Sequence, residues 1–201
     1  MPKLNDIRHK IYDKLGSILF RCQRIEWIMK YMVEQAEGSV EAKTFEELQS
    51  LKPKEPKWMD NKDTLGGLIA KYLDKFYGEP RDAQKPETEC IRFDYSFSLN
   101  GDDDATVREK NRKERTEALE KLKSCRNNLA HHFGLNYTLQ DAESCQKALE
   151  FLSEAKTIVD KEFSTIKFEY DFLQKMGRLM YSVCKSHDSS RILAELSMNK
   201  K

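Results

Sequence analysis

Residues 106 to 134 read "TVREKNRKERTEALEKLKSCRNNLAHHFG", and the fold class turns on how this stretch is wound. Arg108, Arg112, Arg115, Leu119, Leu122, Arg126, Leu129 and Phe133 recur at alternating steps of four and three. At about 100° per residue these positions form one stripe of a helix running from about Thr106 to Phe133. The stripe is arginine, then leucine, then arginine again. Leucines and a phenylalanine in such places are core, so Arg126 is a charge set at or beside a buried seam, where it needs a partner or an anionic ligand. Beyond it, "RNNLAHH" spends its positions on poor helix formers, which propensity does not explain.

Outward from this helix the same periodicity recurs. Leu4, Ile7, Ile11, Leu15, Ile18, Cys22, Ile25, Met29 and Met32 mark a first helix from about 3 to 36, which Gly38 and Ser39 end. "DTLGGLIAKYLDKFYG" is a short second helix, capped by Asp63 or Thr64 and closed near Gly78. A long helical pattern from Asp141 to about Cys184 runs through Leu149, Leu152, Val159, Phe163, Ile166, Tyr170, Leu173 and Met180. Residues 39–63, with "SLKPKEPKWMD", form a connector. From about 79 to 105 lies an insertion in which Ile91, Phe93, Tyr95, Phe97 and Leu99 alternate with polar residues, the period of a strand. Its hairpin partner is missing, because Asn100-Gly101 leads into Asp102, Asp103 and Asp104 and no second alternating run follows. That acidic trio complements the dipole of the helix it precedes better than it would hold a metal. The tail after Cys184 adds at most a turn.

The expected class is all-α: one domain over 1–201, an antiparallel bundle of four to five helices with a long C-terminal helix and a small strand-containing insertion. Eight glycines and five prolines in 201 residues agree with long helices. With 35 basic and 34 acidic side chains, net charge points to no partner. No apolar run reaches the roughly 18 residues that span a bilayer and no signal peptide is visible, so a cytoplasmic address without a membrane is expected. Five scattered cysteines contain no C-x-x-C, which suggests neither a disulfide framework nor a metal site. Cys125 beside Arg126 invites the reading of an activated thiol, though a reduced helical cysteine fits better. His9 and His187 are taken as surface residues.

Arg126 has two readings. It could bridge to an acid on another helix, Glu26 being one candidate, or it could serve chemistry with Asn127 and His131, which lie four residues apart on one side of the helix. On a straight helix Arg126 and His131, five apart, point about 140° away from each other. Loosening of the helix near Gly134, or a second subunit across a two-fold axis, would relieve that mismatch.

"RNNLAH", Arg126 to His131, resembles the R-N-x-x-x-H form of the motif of the HEPN superfamily, small all-helical domains in which this segment ends an internal helix. The layout is similar too: a long first helix, a short "TLGGLI" helix, the motif helix and a long last helix. The strand-bearing insertion departs from the minimal HEPN bundle. The resemblance implies a metal-independent endoribonuclease without a cofactor, acting as a homodimer with the two motif segments facing each other. It also implies a toxin or antiviral-defence setting and an antitoxin or nucleotidyltransferase as partner. In this reading Arg126, Asn127 and His131 are catalytic, with RNA supplying its own 2′-hydroxyl nucleophile. Arg108, Arg112 and Arg115 would guide the RNA backbone, or else form a solvated face neutralised by Glu109, Glu114 and Glu117, and His132 would be a solvated neighbour or an auxiliary RNA contact. The competing reading is a non-catalytic helical module that binds RNA or nucleotide, or serves as a dimer contact.

Overall fold

The computed structural model describes residues 4–42, 47, 63–79, 91–101 and 104–185. Most of the connector expected at 39–63, the loop 80–90, Asp102, Asp103 and the tail beyond 185 lie outside the described residues. In chain order come α1 (Leu4–Gln35), β1 (Glu37–Ala42), α2 (Leu65–Tyr77), β2 (Ile91–Ser96), α3 (Ala105–Asn127), a π-helical turn (Asn128–His132), α4 (Phe133–Asn136) and α5 (Ala142–Lys185). Helices carry the fold, and its class is all-α with a small two-stranded ribbon attached.

The helix ends follow local chemistry. The Thr64 hydroxyl accepts from the Gly67 N–H at 3.3 Å and caps α2. At the other end a Cβ on Gly78 would run into the Asp74 carbonyl, so glycine alone fits there. The Asp104 carboxylate accepts from the Thr106 N–H at 2.7 Å. That backbone bond holds its carboxyl below the usual carboxylate range. Asp141 caps α5 through the Ser144 N–H at 2.7 Å.

Two expectations are corrected. The strand at 91–96 has a partner, but upstream: β1 pairs with it antiparallel, Glu37 opposite Ser96 and Ala42 opposite Ile91. The ladder continues through the Phe97 N–H to the Ala36 carbonyl at 2.8 Å, and the Leu99 N–H ties the ribbon to the Phe76 carbonyl at 3.0 Å. Residues "EGSVEA" carry no alternating pattern because pairing uses main-chain groups, which every residue of β1 supplies.

The second correction is the packing direction. Lys14 meets Ser153, Arg21 meets Asp160 and Tyr31 meets Tyr170, so residue numbers rise together and α1 lies parallel to α5. Arg115 meets Glu162 and Glu169 while Cys125 meets Ala155, so α3 runs against α5. Gly66 lies beside Lys123 and Tyr72 beside Arg115, so α2 also opposes α3. Only α3 runs opposite to its neighbours. Short loops force neighbouring helices antiparallel, and the segment between α1 and α2 is not short. The core fills the space among the four long helices with Ile11, Ile25, Met29, Met32, Leu68, Tyr72, Phe76, Leu119, Leu122, Leu152 and Ile166.

Candidate functional site

The stripe along α3 divides into a buried and an accessible part. Leu119, Leu122, Leu129 and Phe133 are buried, as core positions should be. Arg115 is buried with them, its side chain only 8% exposed. It donates to Glu162 at 2.5 Å and Glu169 at 3.4 Å, and its guanidinium lies 5.6 Å from the centroid of the Tyr72 ring. Glu169 also accepts from the Tyr72 and Tyr77 hydroxyls. Burial, reinforced by Glu169, pushes both phenols above their ordinary range. Burial alone would lower Arg115, but Tyr72, Glu169 and Glu162 together hold it charged.

Arg115 is therefore a core cation, out of reach of an RNA strand, and the arginine track expected along α3 is interrupted. Arg112 is exposed, and half-buried Arg108 lies 3.8 Å from Glu79. The acids of this cluster had a signal in the sequence that went unused. Glu162 and Glu169 fall in the stripe Ala155, Val159, Ile166 and Leu173 of α5, all buried, as Arg115 falls in its own stripe.

At its C-terminal end α3 widens into the π-turn Asn128–His132. Hydrogen bonding from i to i+5 sets residue i+5 above residue i, where an α-helix would turn it away. Arg126, in the last turn of α3, and His131, within the π-turn, stand five residues apart. Arg126 Nη1 lies 3.4 Å from His131 Nε2, and the 140° mismatch is removed within one chain. Loosening of the helix achieves this, so the geometry needs no second subunit. Gly134 itself lies past the turn, in α4.

The guanidinium is held from three sides. Its Nε donates to Glu26 Oε1 at 3.3 Å, and Nη1 donates to Asn127 Oδ1 at 3.3 Å as well as approaching His131. Nη2 has no partner among the described residues, which leaves one edge of the fork for a ligand. A guanidinium has no acceptor, so in this contact the imidazole can take part only through a ring-nitrogen lone pair. The Arg126 and Glu26 side chains are 31% and 22% exposed. His131 and His132 are exposed, with ring centroids 6.4 Å apart. His132 meets His131 edge-on and has no hydrogen bond to Arg126 among the described residues.

Cys22 and Cys125 lie buried behind this group. Burial, with smaller contributions from Cys125 and Glu26, pushes the Cys22 thiol up to about 12 against the pull of Arg126. Burial also raises Cys125, so the cation beside it does not activate it. Among the described residues no three His, Cys, Asp or Glu side chains cluster as a metal would require, and no helix is long and apolar enough to cross a membrane. Comparison with protein-family models, curated proteins and solved structures finds no match to this chain.

Proposed function

We propose that the chain is a metal-independent endoribonuclease of the HEPN type, with Arg126, Asn127 and His131 as its working group. The observation that supports this is the contact of Arg126 with His131 at the π-turn, which sets a cation with a free edge beside an imidazole. π-Turns inside α-helices are rare and recur at functional sites.

The chemistry follows from the residue types. His131 accepts the proton of the RNA 2′-hydroxyl, whose oxygen attacks the adjacent phosphorus. The bond to the 5′-oxygen breaks, and the imidazolium returns the proton to that leaving oxygen. The products are a 2′,3′-cyclic phosphate and a 5′-hydroxyl. Arg126 offsets the charge that accumulates on the phosphate oxygens through its uncommitted Nη2 edge, while Glu26 and Asn127 fix the plane of the fork. In the reading carried by the resemblance, the active form is a homodimer with two such groups lining one cleft. It works as a toxin or antiviral-defence effector that an antitoxin or a nucleotidyltransferase restrains.

A second reading has its own support. The Arg126–Glu26 pair at 3.3 Å is the structural bridge that a non-catalytic RNA- or nucleotide-binding module would keep. Incubation of single-stranded RNA with the protein in EDTA separates the two. Cyclic-phosphate ends that appear with the wild type and vanish with His131→Ala support the ribonuclease, and intact RNA in both refutes it.

A further inference from the structure

The outer face of α1 carries Phe20, Arg24, Trp27 and Tyr31 at steps of four, three and four, which places them along one side of the helix. Phe20 is 63% exposed and Trp27 43% exposed. Trp27 stacks on Tyr31, with centroids 6.5 Å apart and planes 26° apart, and Tyr31 meets Tyr170 of α5 edge-on at 5.4 Å. Arg24 and Arg21 lie 5.1 and 5.3 Å from the Phe163 ring centroid. Arg21 is paired with Asp160, whereas Arg24 has no carboxylate partner among the described residues. Trp27 directly follows Glu26, the residue that holds Arg126.

We propose that this stripe is a stacking platform for the bases of single-stranded RNA, with Trp27 as its main ring and Arg24 as its backbone cation. The inference rests on the ribonuclease reading and names how that site holds its substrate. Exposed aromatic rings interleaved with an unneutralised guanidinium are what a flexible strand needs: π-faces for its bases and positive charge for its phosphates. A duplex keeps its bases stacked inside and cannot use them.

A second copy of this chain fits the stripe less well. At their fractional exposures Phe20 and Trp27 offer on the order of 200 Å² of apolar surface. A stable interface takes roughly 800 Å² per partner, and here Arg24 divides the two rings. The position of the stripe, one residue around α1 from Glu26, lets a strand whose phosphate sits at Arg126 lay a neighbouring base on Trp27.

The test uses the 201-residue chain carrying Trp58→Phe, so that Trp27 is its only tryptophan, and a 2′-O-methyl oligoadenylate that cannot be cleaved. Saturable quenching of Trp27 fluorescence is expected. Trp27→Ala, followed by anisotropy of a labelled oligomer, should weaken binding roughly 5- to 150-fold, as loss of one base–aromatic stack does. Unchanged affinity in Trp27→Ala overturns the platform even if the wild type cleaves RNA, and so does a wild type that binds no oligomer. Loss of self-association in Trp27→Ala with binding intact also overturns it, by assigning the face to a second copy. Weakened binding together with a wild type that cuts no RNA would uphold the platform and remove the ribonuclease.

Discussion

Arg115 and Arg126 are the same residue type on one stripe of one helix, and replacing each by leucine should give opposite results. Arg115 and its two acids are all but sealed, with side chains 8%, 4% and 7% exposed for Arg115, Glu162 and Glu169. Removing the guanidinium leaves two carboxylates buried without their cation, a change that costs roughly 3–5 kcal/mol. For a chain of this size each kcal/mol lowers the melting temperature by about 2–4 °C, so Arg115→Leu should melt roughly 6–20 °C below wild type. Arg126 is 31% exposed and Glu26 22%. Water can reach both, so the pair contributes only about 1 kcal/mol, and Arg126→Leu should melt about 2–4 °C lower. Activity should sort the other way, with Arg126→Leu losing about 10²–10³ in cleavage rate. Arg115→Leu should keep its rate per folded molecule at a temperature where it remains folded. Thermal melts and urea titrations by far-ultraviolet circular dichroism, paired with cleavage of a labelled RNA, measure both quantities. Equal destabilisation by the two substitutions would refute the division of the stripe into a buried and a working half.

His131→Ala should lose about 10²–10⁴ in rate, and its melting point should stay within about 2 °C of wild type because the ring is exposed; a large loss of stability would make the histidine structural. Gly78→Ala should destabilise the fold by about 1–3 kcal/mol, since the added methyl meets the Asp74 carbonyl, and chemical denaturation checks it. Cys22 is raised to about 12 in the fold. Above pH 9 the unfolded chain therefore releases a proton that the folded chain keeps, and stability present below pH 9 is lost as pH rises toward 12. Cys22→Ala should flatten that decline in urea midpoints measured across the range. Light scattering of active protein at micromolar concentration should give about twice the 23.6 kDa chain mass; a monomer with full activity would remove the homodimer.

How far the residues alone could lead depended on which groups the chain uses to make each contact. Side-chain periodicity placed α1, α2 and α5 and the start of α3 within a residue or two, because each buries one apolar face and that face repeats in the sequence; the end of α3, six residues short of Phe133, was hidden by the π-turn that continues the winding. Caps were legible for the same local reason: Thr64 and Gly78 act on backbone within a few residues of themselves. β1 was invisible because a ribbon held by main-chain hydrogen bonds asks nothing of its side chains. The parallel course of α1 and α5 was equally hidden, since an apolar stripe reads alike in either direction.

The sequence by itself determined that Arg126, Asn127 and His131 sit at the end of one helix and that Arg126 must answer to a buried seam. Glu26 stood as a candidate for its partner. Whether Arg126 and His131 could touch was decided only in three dimensions. One turn of i to i+5 winding converts two side chains that diverge on an α-helix into neighbours, while packing keeps Leu129, within the turn, and Phe133, just after it, in the core. The split between Arg115 and Arg126 was decided there as well. Their local sequence is alike in kind, but Glu162 and Glu169 close over the first from α5, whereas the second emerges at the edge of α1 with one face of its guanidinium left to solvent. A charge is buried or exposed by what other elements lay against it, and that is a property of the assembled fold.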